Sequence, residues 1–445
     1  MSSSTEAKIQ NGTAKICIIG LGYVGLPLAV SLAQVGYRVI GYDMQQNKVD
    51  AINQCQSYIL GISNESLFNI KHNGLFSVTA DSNQIKGIDI FIICVPTPLT
   101  KNKEPDLSYV ISTSNLITNL LTLGQLVILE STTYPGTTRG VVKPILESSG
   151  KIIGKDLFLA YSPERIDPAN KDYNIINTPK LVGGITPKCT ELACLIYSKI
   201  TQSIVPVSNP EVAEMAKIFE NVYRSINISL VNELAKLCEA MDVSVWQVIS
   251  AASSKPYGFV PFYPGPGIGG HCIPLDPHYL ASKAKEFNFR SRFIEVAADI
   301  NEQMPLYIAR QIVEMLNLYK KSVNGAKILI LGIAYKKDVP DTRESPSIVI
   351  IDELLKRKAE VYYHDSMING ESSEVNDLAT ATDISQTTLA SMDCVIIATN
   401  HSNYDFNFII EESRLVYDCR GATSQMQRDN VYRLGEKLDF RNSTL

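Results

Sequence analysis

The sequence predicts an α/β protein in which two parallel-sheet domains are joined by a long central helix in a helical middle domain. Three observations predict this class: short apolar runs alternating with helical stretches, a long segment of helical periodicity, and a second strand–helix alternation near the end. Short apolar strands between helices are typical of a parallel sheet covered on both faces. The 445 residues also exceed the ~250–300 residues at which one core stops growing, so several domains are expected.

The composition excludes several functional classes. Hydrophobic residues make up 45% of the chain and charged residues 20%, which excludes a disordered protein. The net charge is -5, so no basic excess indicates nucleic-acid binding. Nine cysteines without a CxxC pair indicate a reducing, cytoplasmic compartment. The apolar segment 16–37 is broken by glycines and Pro27, so membrane insertion is not expected.

The first domain is predicted over residues 15–207, after a loose polar tail at 1–14. Ile16–Ile19 is predicted to be a buried strand, Leu26–Gln34 a helix and Tyr37–Tyr42 a second strand. Three further strands are predicted at Ile88–Val95, Leu126–Leu129 and Leu157–Tyr161. This alternation predicts the first parallel sheet.

A G-x-G-x-x-G pattern at Gly20–Gly25 lies between the first strand and its helix. Such glycines permit a tight turn and a close approach of backbone to a pyrophosphate at the helix N-terminus, which defines a Rossmann-like unit. Asp43, at the end of the second strand, suits ribose hydroxyls and repels a 2′-phosphate, so NAD is expected rather than NADP. The alternative is a turn that serves packing alone. Lys48 could add a cofactor contact or be a solvated lysine.

The middle domain is predicted over residues 208–322. Ser208 and Glu211 have capping-box spacing, with Pro210 early in a helix that reaches about Met241. Its apolar positions recur at helical spacing: Val212, Met215, Phe219, Val222, Ile226, Leu230, Leu234 and Leu237. More helix is expected at Val243–Ala252 and Pro277–Leu318. The long helix, followed by Trp246, suggests a homodimer face, and a helix buried within one chain is the alternative.

A third domain is predicted over residues 323–445. Gly332 follows the strand Ile328–Leu331 alone, where the first domain has three spaced glycines, so this is expected to be a degenerate second Rossmann-like unit. Its other predicted elements are a helix at Pro346–Lys358 and strands at Glu360–His364, Cys394–Ala398 and Leu415–Tyr417.

The segment Phe262–Pro277 holds four glycines and four prolines and is predicted to be a shaped loop. Cys272 lies in this loop, where it is accessible as a nucleophile, although a lone cysteine is more often inert. His271, Cys272 and His278 match no familiar zinc spacing, so no metal is expected. Lys217 and Asn221 share one face of the long helix. Lys217 is either desolvated or, as spacing alone favours, extended to solvent.

Together these segments resemble the UDP-sugar 6-dehydrogenase family, over about Lys15 to Gly421. The family's motifs occur in order: GLGYVG at Gly20–Gly25, VPTP at Val95–Pro98, STTYPGT at Ser131–Thr137, SPER at Ser162–Arg165, AKIFEN at Ala216–Asn221, GIGGHCIPLDP at Gly267–Pro277 and LGIAYKKDVPDTRESP at Leu331–Pro346. The loop around Cys272, and the lack of arginine in Ser254–Phe259, are most similar to the UDP-N-acetylhexosamine branch, in particular its N-acetylglucosamine members.

The resemblance implies site residues. The catalytic set is Cys272 as the thiol, Lys217 and Asn221 as oxyanion partners, Asp276 beside a water and Glu164 for thioester hydrolysis. With the glycine turn, the cofactor-binding set is Gly20, Gly22, Tyr23, Val24, Gly25, Asp43, Lys48, Thr97, Thr132 and Arg343. The substrate-binding set is Arg165, Tyr263, Gly267, Gly269, Tyr335, Lys336 and Arg420.

The implied activity is NAD-dependent, four-electron oxidation of a UDP-N-acetylhexosamine at C6, most similar to the N-acetylglucosamine enzymes, for surface polysaccharide. UDP-N-acetylmannosamine, UDP-glucose and UDP-galactose derivatives are the alternative sugars. A nucleotide-binding protein without catalysis is an alternative of another class, but all five catalytic residue types are present. A simpler hydroxyacid dehydrogenase needs neither the thiol loop nor the third domain.

Overall fold

The computed structural model describes residues 4–59, 61–100, 103–167, 170, 172–270, 272–368, 375, 378–426 and 428–439. The chain divides into two compact units, Met1–Glu220 with His278–Phe289 and Asn221–Pro277 with Arg290–Leu445. The strands are β1 (Lys15–Ile19), β2 (Arg38–Tyr42), β3 (Phe76–Thr79), β4 (Ile90–Ile93), β5 (Leu126–Leu129), β6 (Phe158–Tyr161), β7 (Lys180–Gly184), β8 (Ile204–Pro206), β9 (Lys327–Leu331), β10 (Glu360–His364), β11 (Thr380–Ala381), β12 (Cys394–Ile397), β13 (Val416–Asp418) and β14 (Val431–Arg433). The α-helices are α1 (Thr5–Gln10), α2 (Gly25–Gln34), α3 (Gln46–Asn53), α4 (Asn64–His72), α5 (Ser108–Thr118), α6 (Lys143–Glu147), α7 (Pro187–Tyr197), α8 (Pro210–Ala240), α9 (Val245–Ser253), α10 (Asp276–Lys285), α11 (Arg292–Leu318), α12 (Pro346–Lys356), α13 (Gln386–Ser391) and α14 (Phe406–Glu412).

The first unit is built on a sheet with the order β3-β2-β1-β4-β5-β6-β7-β8. Every residue of β4 and β5 is buried, as expected for strands covered on both faces. The pairing is parallel except between β6 and β7, which are antiparallel. The described residues between these two strands form no helix, and without a crossover the chain returns in the opposite direction.

The second unit is built on a parallel sheet with the order β11-β10-β9-β12-β13-β14. Its first strand in the chain lies between the second and fourth, as in the first unit and in dinucleotide-binding folds. Two Rossmann-like sheets with a helical middle region of α8–α11 confirm the predicted fold class.

The turn after β9 differs from the turn after β1. The helix that follows β9 begins only at Pro346, so no helix N-terminus opens directly at Gly332. Instead the backbone N–H groups of Ile333 and Ala334 both donate to Asp365 Oδ2 at 2.8 Å. The buried His401 lies 3.1 Å from the same oxygen through Nε2. The backbone N–H donors of this turn are therefore occupied by a side chain of the protein itself.

The predicted loose tail is wrong for the described part of residues 1–14. Thr5–Gln10 forms α1, which begins at the N-cap Ser4. Ile9 is fully buried, and the Tyr37 hydroxyl donates to its carbonyl at 2.6 Å. The N-cap, the buried Ile9 and salt bridges from Glu6 to Lys188 and from Lys8 to Asp89 hold this short helix on the first unit.

The helical content expected around Pro277–Leu318 consists of two helices, α10 and α11, and Asn288 between them has a φ of 54°. One prediction at the start of α8 needs correction. The cap of α8 is Asn209, whose Oδ1 accepts from Val212 N at 3.0 Å, rather than Ser208. Within the described part of the chain, no helix has the length and apolar character to cross a membrane.

Candidate active site

The glycine turn has the shape that a dinucleotide requires. A Cβ on Gly25 would lie 1.9 Å from the Gly20 carbonyl oxygen, and one on Gly20, whose φ is +93°, would lie 2.6 Å from the Cys94 carbonyl oxygen. A Cβ on Gly22 would meet nothing within 4 Å. Gly20 and Gly25 therefore permit close packing, whereas Gly22 leaves open space beside the turn. The pyrophosphate of NAD fits this arrangement at the N-terminus of α2.

Asp43 is fixed at the end of β2. Its Oδ2 accepts from the Leu21 backbone N–H and its Oδ1 from that of Gln45, each at 2.9 Å. Lys48 Nζ lies 3.3 Å from Oδ2, so this lysine is paired with the carboxylate instead of extended freely into solvent. Tyr58, which the sequence analysis missed, donates to the Leu21 carbonyl at 2.7 Å.

Thr97 and Thr132, both predicted to contact the cofactor, lie next to each other. The Thr97 hydroxyl donates to the Thr132 carbonyl at 2.8 Å, and the Tyr279 hydroxyl donates to the Thr97 carbonyl. Glu214, another residue that sequence reasoning missed, is buried and accepts from the N–H groups of Gly136 and Thr138 at 2.6 and 2.8 Å. Burial raises the pKa of Glu214 despite these bonds.

Glu164 and Arg165 follow β6. Glu164 Oε1 accepts from the backbone N–H groups of Arg165 and Ile166, each at 2.7 Å, while Oε2 lies 3.7 Å from Lys180 Nζ. Arg165 forms a salt bridge with Glu220 at 2.6 Å. Arg165, which was expected to bind substrate, is therefore paired with a carboxylate of its own unit.

The loop that carries Cys272 is packed against Tyr335 within the second unit. Gly270 has a φ of +85°, and a Cβ there would lie 2.7 Å from the Tyr335 ring. A Cβ on Gly269 would lie 2.6 Å from Tyr335 Cβ, and Gly270 N donates to the Arg343 carbonyl at 2.9 Å. These glycines thus permit close contact with the protein itself. His271 lies outside the described residues.

Cys272 is the exposed cysteine among the nine, whereas the others are buried or half-buried. This agrees with the accessibility predicted for a Gly/Pro-rich loop. Asp276 lies at the start of α10, and its backbone N–H donates to the Cys272 carbonyl at 2.8 Å. The buried Asn221 amide donates to Asp276 Oδ2 at 2.5 Å. Three residues of the predicted catalytic set are therefore linked.

Lys217 is buried on α8. Its side chain is 9% exposed, whereas its helix neighbour Phe219 is 62% exposed. The prediction that Lys217 extends to solvent, which spacing alone favours, is therefore wrong, because Lys217 is on the buried side of α8 and Phe219 on the exposed side. Helical periodicity gives the angular spacing of a stripe but not the side that is buried.

The remaining predicted substrate residues lie in the second unit. Tyr263 stacks on Trp246, with ring centroids 6.3 Å apart. Arg420 Nε donates to the Ala398 carbonyl at 2.8 Å, and a Cβ on Gly265 would lie 2.7 Å from the Arg420 guanidinium. A Cβ on Gly267, whose φ is +124°, would meet the Asn301 carbonyl oxygen at 2.9 Å. Lys336 is half-exposed in the segment after β9, next to Tyr335.

Arg343 is held by a bidentate contact with Asp341. Its Nε and Nη2 reach the Asp341 carboxylate at 2.9 and 2.6 Å. Trp246 donates from Nε1 to the Leu434 carbonyl at 2.9 Å, so it packs within the chain and is not evidence for a dimer face.

A glycine turn shaped for a dinucleotide and a separate loop bearing an exposed cysteine are the features expected of an NAD-dependent oxidoreductase. The UDP-glucose/GDP-mannose dehydrogenase family matches in three parts: its NAD binding domain at residues 14–201, its central domain at 211–303 and its UDP binding domain at 329–425. The chain belongs to this family and is an NAD-dependent UDP-sugar dehydrogenase.

Curated relatives and solved structures agree with this assignment. The chain is 34% identical to the UDP-N-acetyl-D-mannosamine dehydrogenase of Methanococcus vannielii, over 88% of this chain and 87% of that protein. It is 34% identical to the UDP-N-acetyl-D-glucosamine 6-dehydrogenase of Pseudomonas aeruginosa, over 96% and 99%. The structure of UDP-D-ManNAc dehydrogenase from Pyrococcus horikoshii is similar with a TM-score of 0.86 and 31% identity, over 95% of this chain and 99% of that one.

Proposed function

We propose that this enzyme oxidises the C6 alcohol of UDP-N-acetylglucosamine to the uronic acid, through thiohemiacetal and thioester intermediates on Cys272. The observation that carries the proposal is the exposed Cys272 in its glycine-shaped loop, linked to Asp276 and through it to Asn221. Relatives named for UDP-N-acetylhexosamines support this substrate class. The residues around Cys272 favour N-acetylglucosamine. N-acetylmannosamine is the second candidate, since relatives with that name are equally similar.

The residues present suit each chemical stage. Oxidation of an alcohol to an acid removes four electrons, and NAD, when bound, accepts two of them as a hydride. Between the two oxidations the Cys272 sulfur adds to the aldehyde carbon, and the second loss of hydride leaves a thioester. Lys217 and Asn221 stabilise the negative oxygen of each tetrahedral stage. Water then adds to the thioester carbon while Glu164 accepts a proton from it, the carbon–sulfur bond breaks, and the acid and the Cys272 thiolate are released.

A substrate panel tests the proposal. We expect NADH formation to be fastest, by kcat/KM, with UDP-N-acetylglucosamine among the UDP derivatives of N-acetylglucosamine, N-acetylmannosamine and glucose. Two NADH should form for each sugar consumed, because a complete oxidation to acid removes four electrons. A higher kcat/KM for the mannosamine derivative would show that UDP-N-acetylmannosamine is the substrate instead. One NADH per sugar would instead rule out the thioester route.

We also propose that the enzyme is a cytoplasmic homodimer that supplies uronic acids for surface polysaccharide. In the second unit, Tyr223, Leu230 and Leu237 recur every seven residues on α8 and, with Met241 beyond its end, are between 46% and 64% exposed. At this spacing the side chains lie on one helix face. An exposed apolar stripe of this kind marks a protein interface, and a second copy of the chain is the proposed partner.

Replacing Leu237 by aspartate should convert the dimer to a monomer at micromolar concentration, because a charge would be buried without a partner at the interface. Light scattering coupled to size-exclusion chromatography measures the mass. Leu123→Asp is the matched control, since Leu123 is 73% exposed and lies in a loop of the first unit. A monomeric wild-type protein, or a dimeric Leu237→Asp variant, would contradict this interface.

A further inference from the structure

We propose that Lys180 is a positioning residue that, together with Glu130, holds Glu164 for the hydrolytic step. The inference rests on the proposed function, which gives Glu164 its role in thioester hydrolysis. Lys180 Nζ lies 2.8 Å from Glu130 Oε1 and 3.7 Å from Glu164 Oε2, so a single cation lies between two carboxylates. All three residues belong to the first unit.

The antiparallel strand β7 explains how these residues meet. Glu130 and Glu164 follow the carboxyl ends of β5 and β6, the edge at which α/β sheets bind ligands. In the antiparallel register Tyr161 pairs with Gly183. Glu164 lies three residues after Tyr161 and Lys180 three residues before Gly183, and their side chains come within 3.7 Å of each other. A parallel β7 would have placed its first residue at the other edge of the sheet.

Glu130 and Lys180 are deeply buried, and their contacts keep the lysine charged. Glu130 also accepts from the Tyr197 hydroxyl, and Lys180 Nζ lies 4.8 Å from the centre of the Tyr197 ring. Burial by itself lowers the pKa of Lys180, but Glu130 and Glu164 outweigh this effect and raise it above its ordinary value. Burying two opposite charges costs free energy unless their mutual geometry is good, which argues that the Glu130–Lys180 pair has a specific role.

The two oxygens of Glu164 have different surroundings. Oε1 is fixed by two backbone N–H groups, whereas Oε2 faces Lys180 at a distance too long for a direct hydrogen bond. Glu164 and Lys180 both line a shallow, solvent-open pocket, together with Thr178. The buried Thr178 hydroxyl has no hydrogen-bond partner among the described residues. Lys180 thus orients Glu164 by charge and leaves Oε2 able to take a proton from water.

This arrangement predicts which step depends on Lys180. In hydrolysis, the water oxygen bonds to the thioester carbon, the carbon–sulfur bond breaks, the sulfur of Cys272 leaves as the thiolate and Glu164 accepts a proton from water. Both hydride transfers come before this step. Loss of Lys180 should therefore slow the release of acid and leave the formation of the acyl-enzyme intact.

The test is a single-turnover experiment on the full chain with NAD and UDP-N-acetylglucosamine, with NADH, acid and the mass of the intact protein measured over time. The main variant is Lys180→Met with Glu130→Gln, because the single lysine change would leave a buried carboxylate unpaired. We expect two NADH per subunit in the first turnover, acid release slowed about tenfold to a hundredfold, and a Cys272-linked acyl adduct. Lys180→Arg should restore most of the release rate. Lys188→Met is the control, since Lys188 is a more exposed lysine of the same unit.

The outcomes separate this inference from the proposed function. If Glu164→Gln accumulates no acyl adduct, the hydrolytic role of Glu164 in the proposed function fails. If Glu164→Gln traps the adduct but the folded double variant releases acid at the wild-type rate, the role of Lys180 is wrong. A double variant that slows the first NADH as much as the release of acid would show a general structural effect and would also overturn the positioning role.

Discussion

Replacing Cys272 by alanine is expected to abolish the formation of acid and to lower kcat for complete oxidation on the order of a thousandfold or more. Without the sulfur, the aldehyde carbon has no nucleophile with which to form the thiohemiacetal. The loop itself should keep its shape, because it is set by Gly269, Gly270 and Tyr335 rather than by the exposed thiol. Product analysis by chromatography, together with the NADH count, measures the effect.

Cys194→Ala is the matched control for this change. Cys194 is half-buried on α7, outside the predicted site, and its loss should leave the NADH yield per sugar unchanged. Normal acid yield from Cys272→Ala would disprove the covalent route, whereas a loss of acid in both variants would point to a general sensitivity to cysteine replacement.

Gly25→Ala should disrupt the first unit and remove NAD binding. The new Cβ would lie 1.9 Å from the Gly20 carbonyl oxygen, and neither backbone can move without shifting the turn between β1 and α2. Overpacking of this kind costs about 1–3 kcal/mol, or more where backbone is involved. We expect a lower Tm and a loss of NAD affinity, measured by thermal unfolding and by calorimetric titration.

Two further glycine variants separate packing from cofactor binding. Gly22→Ala should keep the wild-type Tm but weaken NAD binding, because its Cβ meets no protein atom yet enters the space beside the turn. Gly140→Ala should alter neither quantity by much, since Gly140 lies in the helical segment Thr138–Val142 and its Cβ would meet nothing within 4 Å. A Gly25→Ala variant with normal Tm and normal NAD affinity would contradict the packing described for this turn.

The sequence predicted the elements whose signals are strong and local. Leu126–Leu129 is a strand with the predicted bounds, and the glycine turn lies between strand and helix as expected. The accessibility of Cys272 followed from a loop that glycine and proline exclude from helix and sheet. β3 and β8 were not predicted, because each is short and lies at or near a sheet edge, where few residues are buried.

Contacts between distant residues could not be predicted. Glu130 and Lys180 are 50 positions apart in the sequence, and each is a charged residue of a type that ordinarily lies at the surface. The antiparallel direction of β7 brings them together. Lys217 shows the same limit, because periodicity placed it on a helix face without revealing that this face is buried. Pairing register and the choice of buried face depend on the whole fold.

The turn after β9, whose backbone N–H groups donate to a side chain of the protein itself, has a consequence for the order of events in each catalytic cycle. The backbone N–H groups of Ile333 and Ala334 donate to Asp365, and the next helix starts far along the chain. The described part of the second sheet therefore offers no binding site for a dinucleotide. The described residues therefore provide one dinucleotide site in the chain, at the turn after β1. In the mechanism proposed above, reduced coenzyme would leave this site and be replaced between the two oxidations, while the half-oxidised sugar stays bound to Cys272.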